Sequence, residues 1–304
     1  MQELCLGTVQ LGMKYGVNNV LGRQPYKDES FSILEYAVEH GITTFDTAGA
    51  YGEAELILGE FLRTKKRYKK DIRIISKLLP NVVKEQEKDV IGTLKSIVEE
   101  SLNRIGTSVL DGYLLHTPEY IYNQQIVKAL CTLKEEKYVK NIGISIYELQ
   151  DGYAALETGM MDYIQMPFSI LDQRGIKEGF ISKAKKAGIT IFTRSAFLQG
   201  LLMMSRNQLP KYLQYAYPYL RDIDMILKKY NVDKVSAILG FVKYERDIDY
   251  LVFGVETKEQ LEEDIMKANQ MWVPEECIQE LKKIGSVDKA VIFPSLWSNR
   301  EELK

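Results

Sequence analysis

Cysteine and histidine are scarce in this chain, with 3 and 2 residues among 304. Cys5, Cys131 and Cys277 are odd in number, far apart and without metal-ligand spacing, so neither a disulfide framework nor a zinc site is supported. They read as inert core thiols of a cytoplasmic protein. Net charge is nearly absent as well: 40 basic against 42 acidic residues leave −2, and nothing electrostatic calls for nucleic acid or an anionic membrane as partner. No apolar run approaches the roughly 20 residues of a membrane-spanning helix. Met1-Gln2-Glu3-Leu4 lacks the basic start and apolar stretch of a signal peptide. No Pro/Gly/Ser-rich linker, low-complexity tract or repeat divides the chain, which reads as one domain over 1–304. The composition that remains, 45% hydrophobic and 27% charged, is that of an ordinary globular protein.

Strand-like and helix-like segments alternate throughout. Short apolar runs predict strands at Leu4–Leu6, Thr43–Phe45, Ile72–Ser76, Gly112–Leu115, Asn141–Ile144, Tyr163–Gln165, Thr190–Phe192 and Tyr250–Phe253. Between them, three- and four-residue apolar spacing predicts helices at Ser30–Glu39, Ala54–Arg63, Val90–Arg104, Gln124–Lys134, Glu148–Glu157, Arg174–Ala187, Lys234–Tyr244 and Lys258–Ala268. Gly41, Gly106 and Gly188 follow helices where left-handed caps belong. Eight strands alternating with eight helices through right-handed crossovers close into a (β/α)8 barrel, an α/β fold. One connection is long, about 199–229 after the seventh strand, and a tail covers about 285–304.

In such a barrel all strand C-termini open onto one face, where active sites are built. Asp46, Lys77, His116, Ser145, Gln165 and Arg194 each fall at or just past the end of a different strand, the second through the seventh, and Tyr51 lies in the loop of the second. Asp46, Tyr51, Lys77 and His116 together form a proton-transfer set, although singly each has a plainer reading. Asp46 and Lys77 would be a surface salt bridge, Tyr51 a packed ring and His116 a satisfied core imidazole.

These four residues, with Gly143-Ile144-Ser145 and Gly254-Val255-Glu256-Thr257, resemble the aldo-keto reductase family over roughly Leu6 to Ala268. The resemblance implies a (β/α)8 barrel that binds NADPH or NADH in extended form and reduces a small-molecule carbonyl substrate by hydride transfer. It makes Tyr51 the general acid, its pKa lowered by the Lys77 ammonium, with Asp46 pairing Lys77 and His116 orienting the substrate oxygen. Ser145 and Gln165 would hold the nicotinamide carboxamide; the asparagine usual after the serine is Ile146 here. Arg194 would stack on the nicotinamide, or else form a salt bridge, and Gly7 and Thr8 resemble the first-strand turn over the cofactor ribose. The adenosine end maps onto Gly254–Asp264, with Gly254, Glu256, Thr257, Gln260, Glu263 and Asp264 as contacts. The family default is NADP, but Glu256 and Gln260 stand where branches carry arginine, and a carboxylate repels a 2′-phosphate, so NADP and NAD both stay open. Val9 and Thr117 replace common tryptophans, leaving a less aromatic pocket. Met203, Met204, Tyr212, Tyr215, Tyr217, Tyr219, Phe293 and Trp297 either wall a sugar-like or acyclic substrate or, the plainer reading for most of them, simply pack a loop helix onto the barrel. The competing function is a cofactor-binding regulatory module like the potassium-channel β subunits, which share the fold and the tetrad.

Overall fold

The computed structural model describes residues 2–84, 86–270, 273–284 and 287–297. Its strands are β1 Glu3–Gly7, β2 Thr44–Asp46, β3 Arg73–Leu78, β4 Gly112–Leu115, β5 Ile142–Ser145, β6 Tyr163–Pro167, β7 Thr190–Arg194 and β8 Tyr250–Phe253. Each pairs in parallel with its sequence neighbours, and β8 closes on β1 through Glu3↔Tyr250 to Leu6↔Phe253. The fold is the closed (β/α)8 barrel, and all eight expected strands are present.

The period of two along a strand explains what the barrel places where. Cys5, Ile75, Leu114, Phe192 and Val252 form a small inner cluster, with Tyr163 and Tyr250 packed on it and the Phe192 and Tyr250 rings stacked at 4.3 Å. Two residues further along these strands stand Gly7, Lys77, His116, Arg194, Gly254 and Gln165. The apolar layer plugs the barrel, and the next inward layer carries the polar residues. The intervening positions face outward: Phe45, Ile74, Leu115 and Ile191 join the large core between barrel and helices.

The helices match expectation with shifts of one to three residues, as at Val90–Ile105 and Gln124–Glu135. Gly41, Gly106 and Gly188 all have positive φ. Three differences stand out. The helix expected over Arg174–Ala187 is two, Arg174–Lys177 and Phe180–Lys186, broken where Gly179 turns left-handed at φ +69°. The long connection after β7 holds the helix Tyr217–Tyr230, whose Leu220, Ile223 and Leu227 are buried. In the tail, Lys289–Ile292 is helical and Trp297 is buried, its indole N–H donating to Val291 O at 3.1 Å.

Candidate active site

The tetrad assembles at the C-terminal mouth. Lys77 is 1% exposed and donates to both Asp46 oxygens at 2.7 Å, to Thr47 O at 2.9 Å and to the Tyr51 hydroxyl at 3.3 Å. Asp46 also accepts from Gln165 Nε2 at 2.7 Å. Backbone contact fixes Tyr51. Its turn is pressed against the one after β1, Glu53 N donating to Gly12 O at 3.1 Å, and a Cβ on Gly12 would lie 1.8 Å from Tyr51 O. Only glycine allows that approach. The His116 ring stands edge-on to Tyr51, centroids 5.7 Å apart.

Charge states follow from burial. Burial alone would push the Lys77 ammonium down, but Asp46 and Tyr51 outweigh it and the pKa lies above the ordinary value. Burial raises the Tyr51 phenol, Lys77 pulls it down and Asp46 pushes it up; the net direction is up. The expectation that Lys77 brings this phenol below its ordinary pKa is therefore corrected for the cofactor-free chain, because desolvation of the phenolate exceeds the pull of a cation already paired with Asp46. His116 is pushed down to about 3, first by burial and then by the charges of Lys77 and Arg194. It is a neutral imidazole, and its Nδ1 is buried with no partner among the described residues.

A cavity of about 680 Å³ runs from Tyr51 and His116 to Glu256, Gln260, Glu263 and Asp264. Gly7, Ser145, Arg194 and Gly254 also line it. Thr8, Gln165 and Thr257 sit behind the wall. The Thr8 hydroxyl donates to Asp46 O, Gln165 accepts from Ser145 Oγ at 3.2 Å, and Thr257 Oγ1 accepts from Gln260 N at 3.2 Å. Asp264 is 8% exposed, and burial, then Glu263, raises its pKa to about 8. Arg194 forms no salt bridge among the described residues. Its guanidinium lies 4.2 Å over the Tyr147 ring, with Nη2 donating to Ile146 O at 3.0 Å and Nη1 to Ser195 Oγ at 3.3 Å.

Glu256 has a second occupation. Its Oε2 accepts from Val20 N at 2.7 Å and Leu21 N at 3.1 Å. On the opposite rim, Val17 N donates to Gln199 O at 3.0 Å and Gln199 Nε2 to the Tyr15 hydroxyl at 2.9 Å. The loop after β1 is thus a strap tied to the loops after β7 and β8. The carboxylate expected to face a ribose serves at least in part as a clasp.

The residues present suit a dinucleotide. Gln10 Oε1 is buried on the wall without a partner among the described residues, and a Cβ on Gly254 would lie 2.2 Å from it. The bare glycine lets the Gln10 carboxamide press against the backbone, and its orphaned acceptor is one that a hydroxyl donor such as a ribose would satisfy. Gln10, Tyr15 and Tyr147 were not singled out from the sequence. Gln10 follows Gly7-Thr8-Val9 directly, a signal that could have found it, whereas the two tyrosines sit in loops with no periodicity to mark them. Among the described residues no group of His, Cys, Asp and Glu could hold a metal ion, and no helix is long and apolar enough to cross a membrane.

Known proteins resemble the whole chain. The uncharacterized oxidoreductase YqkF of Bacillus subtilis is 25% identical over 96% of this chain and 98% of its own. The NADH-specific methylglyoxal reductase of Escherichia coli is 26% identical over 88% of this chain and 90% of its own. Among solved structures, the holo form of the aldo-keto reductase AKR11C1 from Bacillus halodurans superposes with a TM-score of 0.75 at 22% identity, covering 97% of this chain and 95% of that one. The Aldo/keto reductase family description matches residues 3–286. With a closed eight-strand barrel, a buried Asp46–Lys77 pair bonded to Tyr51 at its mouth and a match over nearly its full length, the chain belongs to the aldo/keto reductase family, oxidoreductases that act on carbonyls.

Proposed function

We propose that this protein reduces an aldehyde or ketone at the expense of NADH or NADPH, with Tyr51 as proton donor. The observation that carries the reading is the Tyr51 hydroxyl held 3.3 Å from the buried Lys77 ammonium on the wall of the cavity. The bound nicotinamide dinucleotide supplies the hydride. Gly7, Ser145, Arg194 and Gly254 form its wall beside the tetrad, with Gln10 accepting from a ribose hydroxyl, and Glu256, Gln260, Glu263 and Asp264 form its far end.

Because its pKa is raised, Tyr51 is protonated at neutral pH and can give Oη–H to the carbonyl oxygen. The phenolate left behind faces a cation that Asp46 holds in place and keeps charged. Gln165 fixes Asp46 in turn, so the set is tied to β2, β3 and β6. Neutral His116 offers one N–H to the same carbonyl oxygen and sets its direction without competing as an acid.

For the adenosine end we propose a lean toward NADH. Glu256 and Glu263 are carboxylates, Asp264 beside them is held protonated by burial, and the nearby cation Lys258 is paired with Glu262 at 3.2 Å. The test is fluorescence titration of both cofactors, followed by loss of cofactor absorbance on adding aldehydes. Tyr51→Phe should lower turnover by roughly 10²–10⁴-fold while both dissociation constants stay close to wild type. Full turnover by that variant at saturating cofactor would remove Tyr51 as the proton donor.

A further inference from the structure

Among the described residues of the cavity wall, Arg194 is the one lysine or arginine. A half-buried guanidinium normally has a carboxylate partner, since desolvating an unpaired charge is costly. Arg194 has none among the described residues. It is held instead by a ring face, a carbonyl and the hydroxyl of Ser195, itself in the left-handed region at φ +65°. Two of its five N–H donors are used in these contacts, leaving the others for a ligand. Tyr15, on the same wall, is a second donor. Its hydroxyl oxygen accepts from Gln199, so its proton is free to be offered, and burial first among causes keeps it protonated, with the pKa pushed up to about 12.

Charge is divided along the cavity. The carboxylates Glu256 and Glu263 lie on the loop and helix after β8, with Asp264 beside them held protonated by its burial. Beside Tyr51, the Asp46 charge is cancelled by Lys77 and His116 is neutral, which leaves Arg194 as the net charge. An adjoining cavity of about 480 Å³ shares Tyr15, Gly16, Gln199 and Pro294 and adds Lys14, Tyr212 and Trp297. The route outward therefore carries another cation, one that forms no ion pair among the described residues, between aromatic walls.

We infer that Arg194 and Tyr15 form an anion receptor beside the reacting carbonyl, so that the substrate is an aldehyde or ketone carrying a carboxylate or a phosphate. This rests on the reductase reading and narrows its substrate class. An anionic group held by a charge-assisted guanidinium bond would fix the carbonyl against Tyr51 and His116. A guanidinium offers both a face and an edge, so stacking on a nicotinamide and binding an anion through N–H are compatible.

The experiment compares matched substrates at saturating cofactor: glyceraldehyde 3-phosphate against glyceraldehyde, and succinic semialdehyde against butanal. For wild type, kcat/KM should be roughly 10- to 100-fold higher for the charged member of at least one pair, the worth of a hydrogen bond to a charged group. The pair that shows it tells phosphate from carboxylate. Arg194→Gln should bring the ratio toward one, Arg194→Lys should keep part of it, and Tyr15→Phe should reduce it a few-fold. Taking the ratio within each variant cancels any change in cofactor binding or proton transfer. A wild-type ratio near one in both pairs, with the neutral aldehydes reduced, overturns the receptor and leaves the reductase reading intact. So does a ratio that survives Arg194→Gln. If cofactor binds and no carbonyl is reduced, the reductase reading fails instead. Calorimetry of inorganic phosphate and malonate on the cofactor-loaded protein then decides: binding weakened about tenfold or more by Arg194→Gln supports the receptor, and no binding by wild type overturns it.

Discussion

Asp264 is a carboxylate 8% exposed, beside Glu263, with a pKa near 8. An ordinary aspartate titrates near 3.9 in the unfolded chain. Between about pH 4 and about pH 8, then, the folded protein holds a proton that the unfolded chain has released. Stability must fall as pH rises through that window, by about 1.4 kcal/mol per pH unit from this one group. Asp264→Asn keeps the shape and removes the titration. The variant should gain on wild type by about 3 kcal/mol between pH 5 and pH 7, which at ~2 °C per kcal/mol is a difference in Tm growing by about 6 °C. The assay is thermal unfolding of the cofactor-free protein across that range, wild type and variant in parallel. Two melting curves that keep a constant separation from pH 5 to pH 8 would mean that Asp264 is ionised throughout and that its burial has been misjudged.

His116, with a pKa near 3, should contribute no ionisation to kcat/KM between pH 5 and pH 8; a step near pH 6.5 that disappears in His116→Asn would contradict this. Glu256→Gln keeps an oxygen for the amides of Val20 and Leu21 while removing the charge, so it should shift the ratio of NADPH to NADH affinity toward NADPH by a few-fold. An unchanged ratio in titrations of both cofactors would show that the carboxylate acts on the strap alone. Lys77→Met strands the Asp46 charge and should cost about 3–5 kcal/mol, most of it recovered in the double variant with Asp46→Asn, which stays inactive; denaturant titration checks the recovery.

What made the barrel and the tetrad legible is one regularity read twice. The same two-residue period that puts Ile75, Leu114 and Phe192 into the inner plug puts Lys77, His116 and Arg194 into the layer above it. A residue at a strand end is therefore placed by the strand's own alternation, without knowledge of the tertiary structure. Where the backbone leaves a regular element the period has nothing to say. Gly179 breaks a helix by one left-handed residue, although the apolar spacing from Arg174 to Ala187 reads as continuous. The strap after β1 is set by hydrogen bonds to Glu256 and Gln199, partners 235 and more than 180 positions away in sequence, and no local pattern announces them. For the same reason the clasp role of Glu256 was invisible, and the residue looked like a simple charge facing the cofactor.

Charge state is the other property that a residue list does not carry. The pairing of Lys77 with Tyr51 suggests a phenol with a lowered pKa, and the pairing is there at 3.3 Å. Yet the ammonium already faces both oxygens of Asp46 at 2.7 Å, so what Tyr51 feels is a cation largely compensated by its partner, set against its own burial. The phenol ends up more firmly protonated than in water, not less. That is a workable state for the proton donor proposed above, whose proton would be released only as an alkoxide develops beside it: the proton is present at neutral pH, and the Lys77 cation would stabilise the phenolate once formed. On this argument Lys77 contributes to the transition state more than to the resting pKa. Its removal should then depress turnover far more than it alters the pH at which the free enzyme's Tyr51 titrates.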